Sequence, residues 1–252
     1  MTKQIAIAGK GGTGKTTFTA LFLRYLMREK KGKALLAVDA DANANLNEAL
    51  GLEVEHTIGE IIEDTKKPGA IPTGMTKNLY MEYKVQSALA ETKDLDLLVM
   101  GNPQGAGCYC YPNDLLRKYL EQLRVNYDYV AIDNEAGLEH LSRRIVQNID
   151  YLVITSDASA RGVRSAGRVH EIVRSVNLDI KEMFLVISRA TEDTDISFLQ
   201  EEIDKTGLKY MGLIPYDNQV VEYDLKGKPL VDLPQDSIAV QAVEKIVAGL
   251  DL

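Results

Sequence analysis

The 252-residue chain has no surplus of positive charge, no long apolar run and only two cysteines, and each shortage removes a class of function. With 29 Lys and Arg against 37 Asp and Glu, the formal charge is −8. That balance argues against a constitutive nucleic-acid surface, which would carry a basic stripe. The local cluster Arg28-Glu29-Lys30-Lys31-Gly32-Lys33 reads as the solvated end of a helix. No apolar run approaches the ~18 residues that a membrane-spanning helix needs. The closing stretch from Asp236 to Leu252 is amphipathic but holds one basic residue, Lys245, unlike the basic helices that lie on bilayers. Neither nucleic acid nor membrane is therefore expected as a partner. Apolar strand residues begin at Ile5, so no signal peptide is expected. Two cysteines make no disulfide framework, and a reducing, cytoplasmic setting is expected.

What is present is a regular alternation. Short apolar runs suited to buried strands occur at Ile5–Ala8, Ala34–Val38, Leu95–Met100, Tyr129–Asp133, Tyr151–Asp157, Met183–Arg189 and from Tyr210 to Ile214. Helical stretches lie between them, over about 15–31, 57–62, 114–123 and 161–176, with a closing helix over 236–252. Asn78 to Tyr83 alternates apolar and polar residues as a half-buried strand would. Strands alternating with helices, without a linker or repeat, predict one doubly wound α/β domain over residues 1–252, its mainly parallel sheet covered on both faces.

The first strand runs directly into Gly9-Lys10-Gly11-Gly12-Thr13-Gly14-Lys15-Thr16-Thr17, which fits G-x-x-x-x-G-K-[ST] in the strand–loop–helix setting the motif requires. Glycines let successive N–H groups converge on phosphate oxygens, and the following helix turns its positive end to the same anion. Lys15 is placed to reach the β- and γ-phosphates, and the Thr16 hydroxyl to ligate Mg²⁺. Asp133, at the end of an apolar strand, is the expected carboxylate for that Mg²⁺, and Gly137 is placed to give an N–H to the γ-phosphate. Asp39 and Asp41 also follow a strand end, where α/β folds put their chemistry. The alternative role for either is to cap the helix beginning near Leu46, but Asn43 or Asn45 would serve there and leave both carboxylates free. The guanine-reading Asn-Lys-x-Asp is absent, so adenine, and hence ATP, is the expected base.

The two cysteines, Cys108 and Cys110, sit two apart among glycines and before Pro112. A buried apolar role suits that setting poorly. In extended backbone the two thiols face the same way, ahead of a helix whose N-terminus favours thiolate.

The run from Lys10 to Thr17 resembles the deviant P-loop of a family of dimeric ATPases. That family includes the nitrogenase iron protein, partition ATPases, division-site ATPases and metal-centre maturation ATPases. The resemblance implies that Lys10 reaches the nucleotide held by the other subunit of a ligand-dependent homodimer. It implies that Asp39 supports the Mg²⁺ water shell and that Asp41 orients the attacking water. It also implies purine contacts at Ser188 and Arg189, where the family often has Asn-Arg or Asn-Lys and Ser188 departs from it, and at the loop Pro215-Tyr216-Asp217. Two thiolates are half of a tetrahedral soft-metal site, and a two-fold dimer would supply the other pair. The segments Gly105-x-Gly107-Cys108-x-Cys110 and Asp133-x-Glu135-Ala136-Gly137-x-Glu139-His140-Leu141 are similar to the nickel-insertion ATPases of carbon monoxide dehydrogenase maturation and to those that mature acetyl-CoA synthase. Partition and division ATPases have a proline-containing Asp-x-Pro-x-Gly there instead. The function implied is ATP-driven delivery of Ni²⁺, with Zn²⁺ as competitor, to such an enzyme. An iron–sulfur carrier and a partition or division switch are the alternatives.

Overall fold

A computed structural model describes residues 2–102, 110–135, 148–175, 178–191 and 193–252. Strand β1 (Lys3–Gly9) is the centre of the sheet because its residues are apolar on both sides. Ile5 and Ile7 point into one core, Ala6 and Ala8 into the other. The further strands are β2 (Leu35–Ala40), β3 (Leu89–Glu91), β4 (Asp96–Val99), β5 (Tyr129–Asn134), β6 (Ile149–Asp157), β7 (Ile180–Ala190) and β8 (Lys209–Pro215). Among the described residues they form one eight-stranded sheet in the order β3-β4-β2-β5-β1-β6-β7-β8. Every pairing is parallel except β3 with β4. The doubly wound architecture expected from the alternation is the one observed.

The described helices are α1 (Lys15–Glu29), α2 (Leu46–Leu50), α3 (Ile58–Asp64), α4 (Lys77–Gln86), α5 (Cys110–Leu123), α6 (Ala160–Ser175), α7 (Gln200–Thr206), α8 (Asn218–Leu225) and α9 (Ile238–Val247). On one face, α1 presents Phe18, Leu21 and Phe22 to Val240, Val243 and Val247 of α9. The rings of Phe18 and Phe22, one turn apart, stack 6.3 Å between centroids. The other face is covered by α3, α4, α5, α6 and α7. Parallel strands put the C-terminal ends of β1, β2, β5, β6, β7 and β8 along one edge, and the loops leaving that edge build the site.

One expectation is overturned in this frame. Asn78 to Tyr83 is part of helix α4, not a strand. Its alternation satisfies a period of two, but the residues that reach the core are Met81 and Val85, four apart, while Leu79 and Tyr83 are exposed. Thr76 starts the helix by accepting the Leu79 N–H at 3.3 Å.

Candidate nucleotide site

Residues 9–17 link β1 to α1 and close on themselves. The Thr13 N–H and Thr13 hydroxyl both donate to the Lys10 carbonyl, at 3.4 and 2.7 Å. Gly9 lies against β6, where a Cβ would sit 2.5 Å from the Thr155 carbonyl oxygen, so no other residue fits. Thr155 in turn holds Thr13, hydroxyl to hydroxyl, at 2.8 Å. Gly14 adopts φ 79° immediately before α1, with no side-chain cap on the helix. The first N–H groups of α1 therefore face the cleft. Lys15 is buried beneath the loop with its Nζ 3.4 Å from the Lys10 carbonyl. Burial lowers the Lys15 pKa, opposed by the charges of Asp133, Asp41 and Glu135. The Lys10 side chain is exposed at the outer rim.

Beneath the loop stand two carboxylates that strand register brings together. Asp39 on β2 is paired directly with Asp133 on β5. Both are buried. Thr16 donates to Asp133 Oδ2 at 2.6 Å, while Asp133 Oδ1 is buried with no partner. An orphaned carboxylate oxygen beside a threonine hydroxyl fits a divalent cation, and Mg²⁺ needs only one or two such protein ligands beside water and phosphate. Burial pushes the Asp133 carboxyl up to about 7, with Thr16 opposing and the Asp39 charge adding. Asp39 is pushed up to about 6, again chiefly by burial. Its own oxygens are engaged, Oδ1 by the Asp41 N–H at 3.0 Å and Oδ2 by the Leu46 N–H at 2.9 Å.

This corrects the expected capping of α2. Asn45 occupies the N-cap position without a side-chain hydrogen bond, and Asp39 supplies the acceptor instead. The chain between them bends tightly, with Ala44 at φ 45°, and so returns Leu46 to the end of β2. Asp41 is half-buried, lines the cleft, and accepts from the Asn43 N–H at 2.8 Å.

The cleft has a volume of about 430 Å³ and runs from the P-loop to α8 and α9. Its far end brings together Ser188, Arg189, Pro215, Tyr216 and Asp217, all expected near the purine. The polar groups of Asp217, Ser188 and Arg189 bond to the protein itself. Asp217 accepts from Gln219 N–H at 2.8 Å, the Ser237 hydroxyl at 2.6 Å and Ala239 N–H at 3.1 Å. It thereby caps α8 and holds Ser237, the N-cap of α9. Burial alone would raise its pKa, but the bonds from Ser237, Ala239 and Gln219 outweigh that and hold it below the usual range. The Ser188 hydroxyl donates to the Thr13 carbonyl, and Arg189 Nη1 to the Gly12 carbonyl at 3.2 Å.

Sequence reasoning missed Asp224, a carboxylate of α8 that also lines the cleft and whose pKa is raised by burial. Its only signal is its place seven residues after Asp217, two helical turns along α8.

Gly137 and Cys108 lie outside the described residues, as does His140. Cys110 is the first residue of α5, four positions earlier than the expected start, with Pro112 in the first turn where a missing N–H costs nothing. Among the described residues no group of three or more His, Cys, Asp or Glu is placed to hold a metal. No helix among them is long and apolar enough to cross a membrane.

Residues 5–230 match the family model of the CobQ/CobB/MinD/ParA nucleotide-binding domain. The chain belongs to this family. It is 43% identical over 245 residues to an ATP-binding protein of Methanocaldococcus jannaschii, covering 96% of both chains. It is 29% identical to the carbon monoxide dehydrogenase accessory protein CooC of Rhodospirillum rubrum, over 90% of this chain and 93% of that one. Its fold is that of the septum site-determining protein MinD of Pyrococcus horikoshii, solved with Mg-ADP, at TM-score 0.72, 24% identity, and coverage of 100% of this chain and 96% of that one.

Proposed function

We propose that the protein is an ATP-hydrolysing metallochaperone that carries Ni²⁺ between two subunits to a carbon monoxide dehydrogenase or acetyl-CoA synthase. The observation that carries this reading is the Cys108-Tyr109-Cys110 sequence, whose last residue begins α5, in a chain 29% identical to CooC. In this reading Lys15 holds the β- and γ-phosphates of its own subunit's ATP. Thr16 and Asp133 hold Mg²⁺, which neutralises phosphate charge when bound. Asp39 supports the Mg²⁺ water shell and holds the switch backbone at Asp41 and Leu46. Asp41 orients the attacking water, Gly137 gives its N–H to the γ-phosphate, and Lys10 reaches across to the partner's nucleotide.

Cys108 and Cys110 of both subunits then bind nickel as cargo, with zinc as competitor, through four thiolates. Coupling requires only that ATP and metal prefer the same dimer geometry, so that hydrolysis loosens the metal site. The double variant Cys108→Ala/Cys110→Ala is expected to lose nickel-dependent dimerisation in size exclusion and to keep nucleotide binding. An unchanged nickel content in the dimer fraction would sink the proposal.

A second reading, a partition- or division-type switch, is supported by the fold likeness to MinD. Co-sedimentation with liposomes or DNA in the presence of ATP is the measurement that would favour it.

A further inference from the structure

The resemblance expects Ser188 and Arg189 to touch the purine, yet both side chains turn to the P-loop instead. Ser188 is buried, and its hydroxyl donates to the Thr13 carbonyl, with the Ser156 carbonyl 3.4 Å away. Arg189 is exposed at φ 58°, a left-handed conformation that residues with a Cβ seldom adopt. The pairing of β7 with β8 shifts register between Ser188 and Ala190, so Arg189 bulges out of the ladder. That bulge swings its guanidinium over the loop to the Gly12 carbonyl at 3.2 Å.

The consequence follows from peptide geometry. In a planar trans peptide the C=O and the next N–H point in opposite directions. Holding the Thr13 carbonyl towards β7 turns the Gly14 N–H away from β7, and Gly14 lines the cleft. Holding the Gly12 carbonyl fixes the peptide whose Thr13 N–H closes the turn onto Lys10. Ser188 also stands 3.3 Å from where a Gly14 Cβ would be, so it backs the loop as well as bonding it.

We propose that Ser188 and Arg189 are positioning residues for the phosphates, a clamp from the end of β7 that sets the direction of the P-loop N–H groups and does not read the base. The clamp rests on the nucleotide-site reading and is independent of any metal cargo.

The test is isothermal titration of the full chain with ATP, GTP and inorganic tripolyphosphate, for the wild type and for Ser188→Ala and Arg189→Gly. Each variant is expected to weaken all three ligands by the same factor, about five- to tenfold for one lost hydrogen bond. Arg189→Gly also relieves the left-handed backbone, so its apo melting temperature should hold or rise while phosphate binding falls. General loosening of the structure would lower both together. Either of two outcomes overturns the clamp: an altered ATP-to-GTP ratio with tripolyphosphate binding untouched, or no loss for any ligand. A wild-type protein that bound none of the three would instead defeat the nucleotide site itself.

Discussion

The two ends of the cleft are built on opposite principles. At the phosphate end, polar groups are buried and left wanting. The first N–H groups of α1 have no side-chain cap, Asp133 keeps an orphaned oxygen, and Lys15 is desolvated. At the far end the Asp217 carboxylate is already satisfied by Gln219, Ser237 and Ala239. The first end stores unfavourable electrostatics that a charged ligand relieves, while the second is already satisfied and serves as a wall. Stability and binding should therefore respond in opposite senses to substitutions at the two ends.

The largest effect is expected at the satisfied end. Asp217→Ala removes the acceptor for Ser237, Ala239 and Gln219, uncaps α8 and takes away the support of the Ser237 cap on α9. Losing a buried charged acceptor with its donors left behind costs about 3–5 kcal/mol. Because the folded Asp217 pKa is depressed, its contribution is present above the unfolded carboxylate value and is lost as pH falls through the folded one. Denaturant melts of wild type and variant should therefore differ most at pH 7, with the difference narrowing in acid.

Next comes the reverse case. Asp133 is raised to about 7, so its contribution to apo stability is full below the unfolded value near 4 and disappears as pH rises through about 7. Asp133→Asn keeps an acceptor for Thr16 and carries no charge. It is expected to make the apo protein more stable at pH 8, on the order of a few kcal/mol, with the gain vanishing towards pH 4. Mg²⁺-dependent tightening of nucleotide binding should be lost in the same variant. An apo melting temperature at pH 8 below that of the wild type would show that Asp133 is held favourably and would erase the contrast.

Lys15→Gln tests binding at the same end without touching the carboxylates. A lost charge-assisted hydrogen bond to phosphate is worth about 1.5–3 kcal/mol, or roughly 10- to 100-fold in triphosphate affinity. Relief of the buried ammonium should leave the apo fold no less stable. Fluorescent-nucleotide titration beside thermal melts reads both quantities.

Much of this contrast was legible in the residues, and the failures have physical causes. β1, the P-loop and Asp133 were readable because a fully buried strand and an anion cradle each demand particular residue types at fixed spacing. Asn78 to Tyr83 reads as a strand because six residues of alternation do not reveal that Met81 and Val85 form the buried pair. The capping of α2 was misassigned because local candidates such as Asn45 are visible in a sequence, whereas Asp39 reaches Leu46 only after the chain turns at Ala44. Asp217 and Ser188 line the cleft. Where their polar atoms point depended on α9 and on the P-loop, elements 20 and 175 residues away in the chain.

The smallest effect concerns that turn. Ala44 sits at φ 45° between the end of β2 and α2, on the phosphate side of the cleft. A left-handed conformation costs a residue with a Cβ roughly 1–2 kcal/mol, and glycine avoids it. Glycine also gives the unfolded chain more freedom, worth about 0.5–1 kcal/mol in the other direction. Ala44→Gly should therefore stabilise the apo protein by less than about 1 kcal/mol, a shift of a few degrees at most in a chain of this length. A loss of stability would mean that the turn between Asp39 and Leu46 is not strained, and that the unfavourable terms of the phosphate end are electrostatic alone.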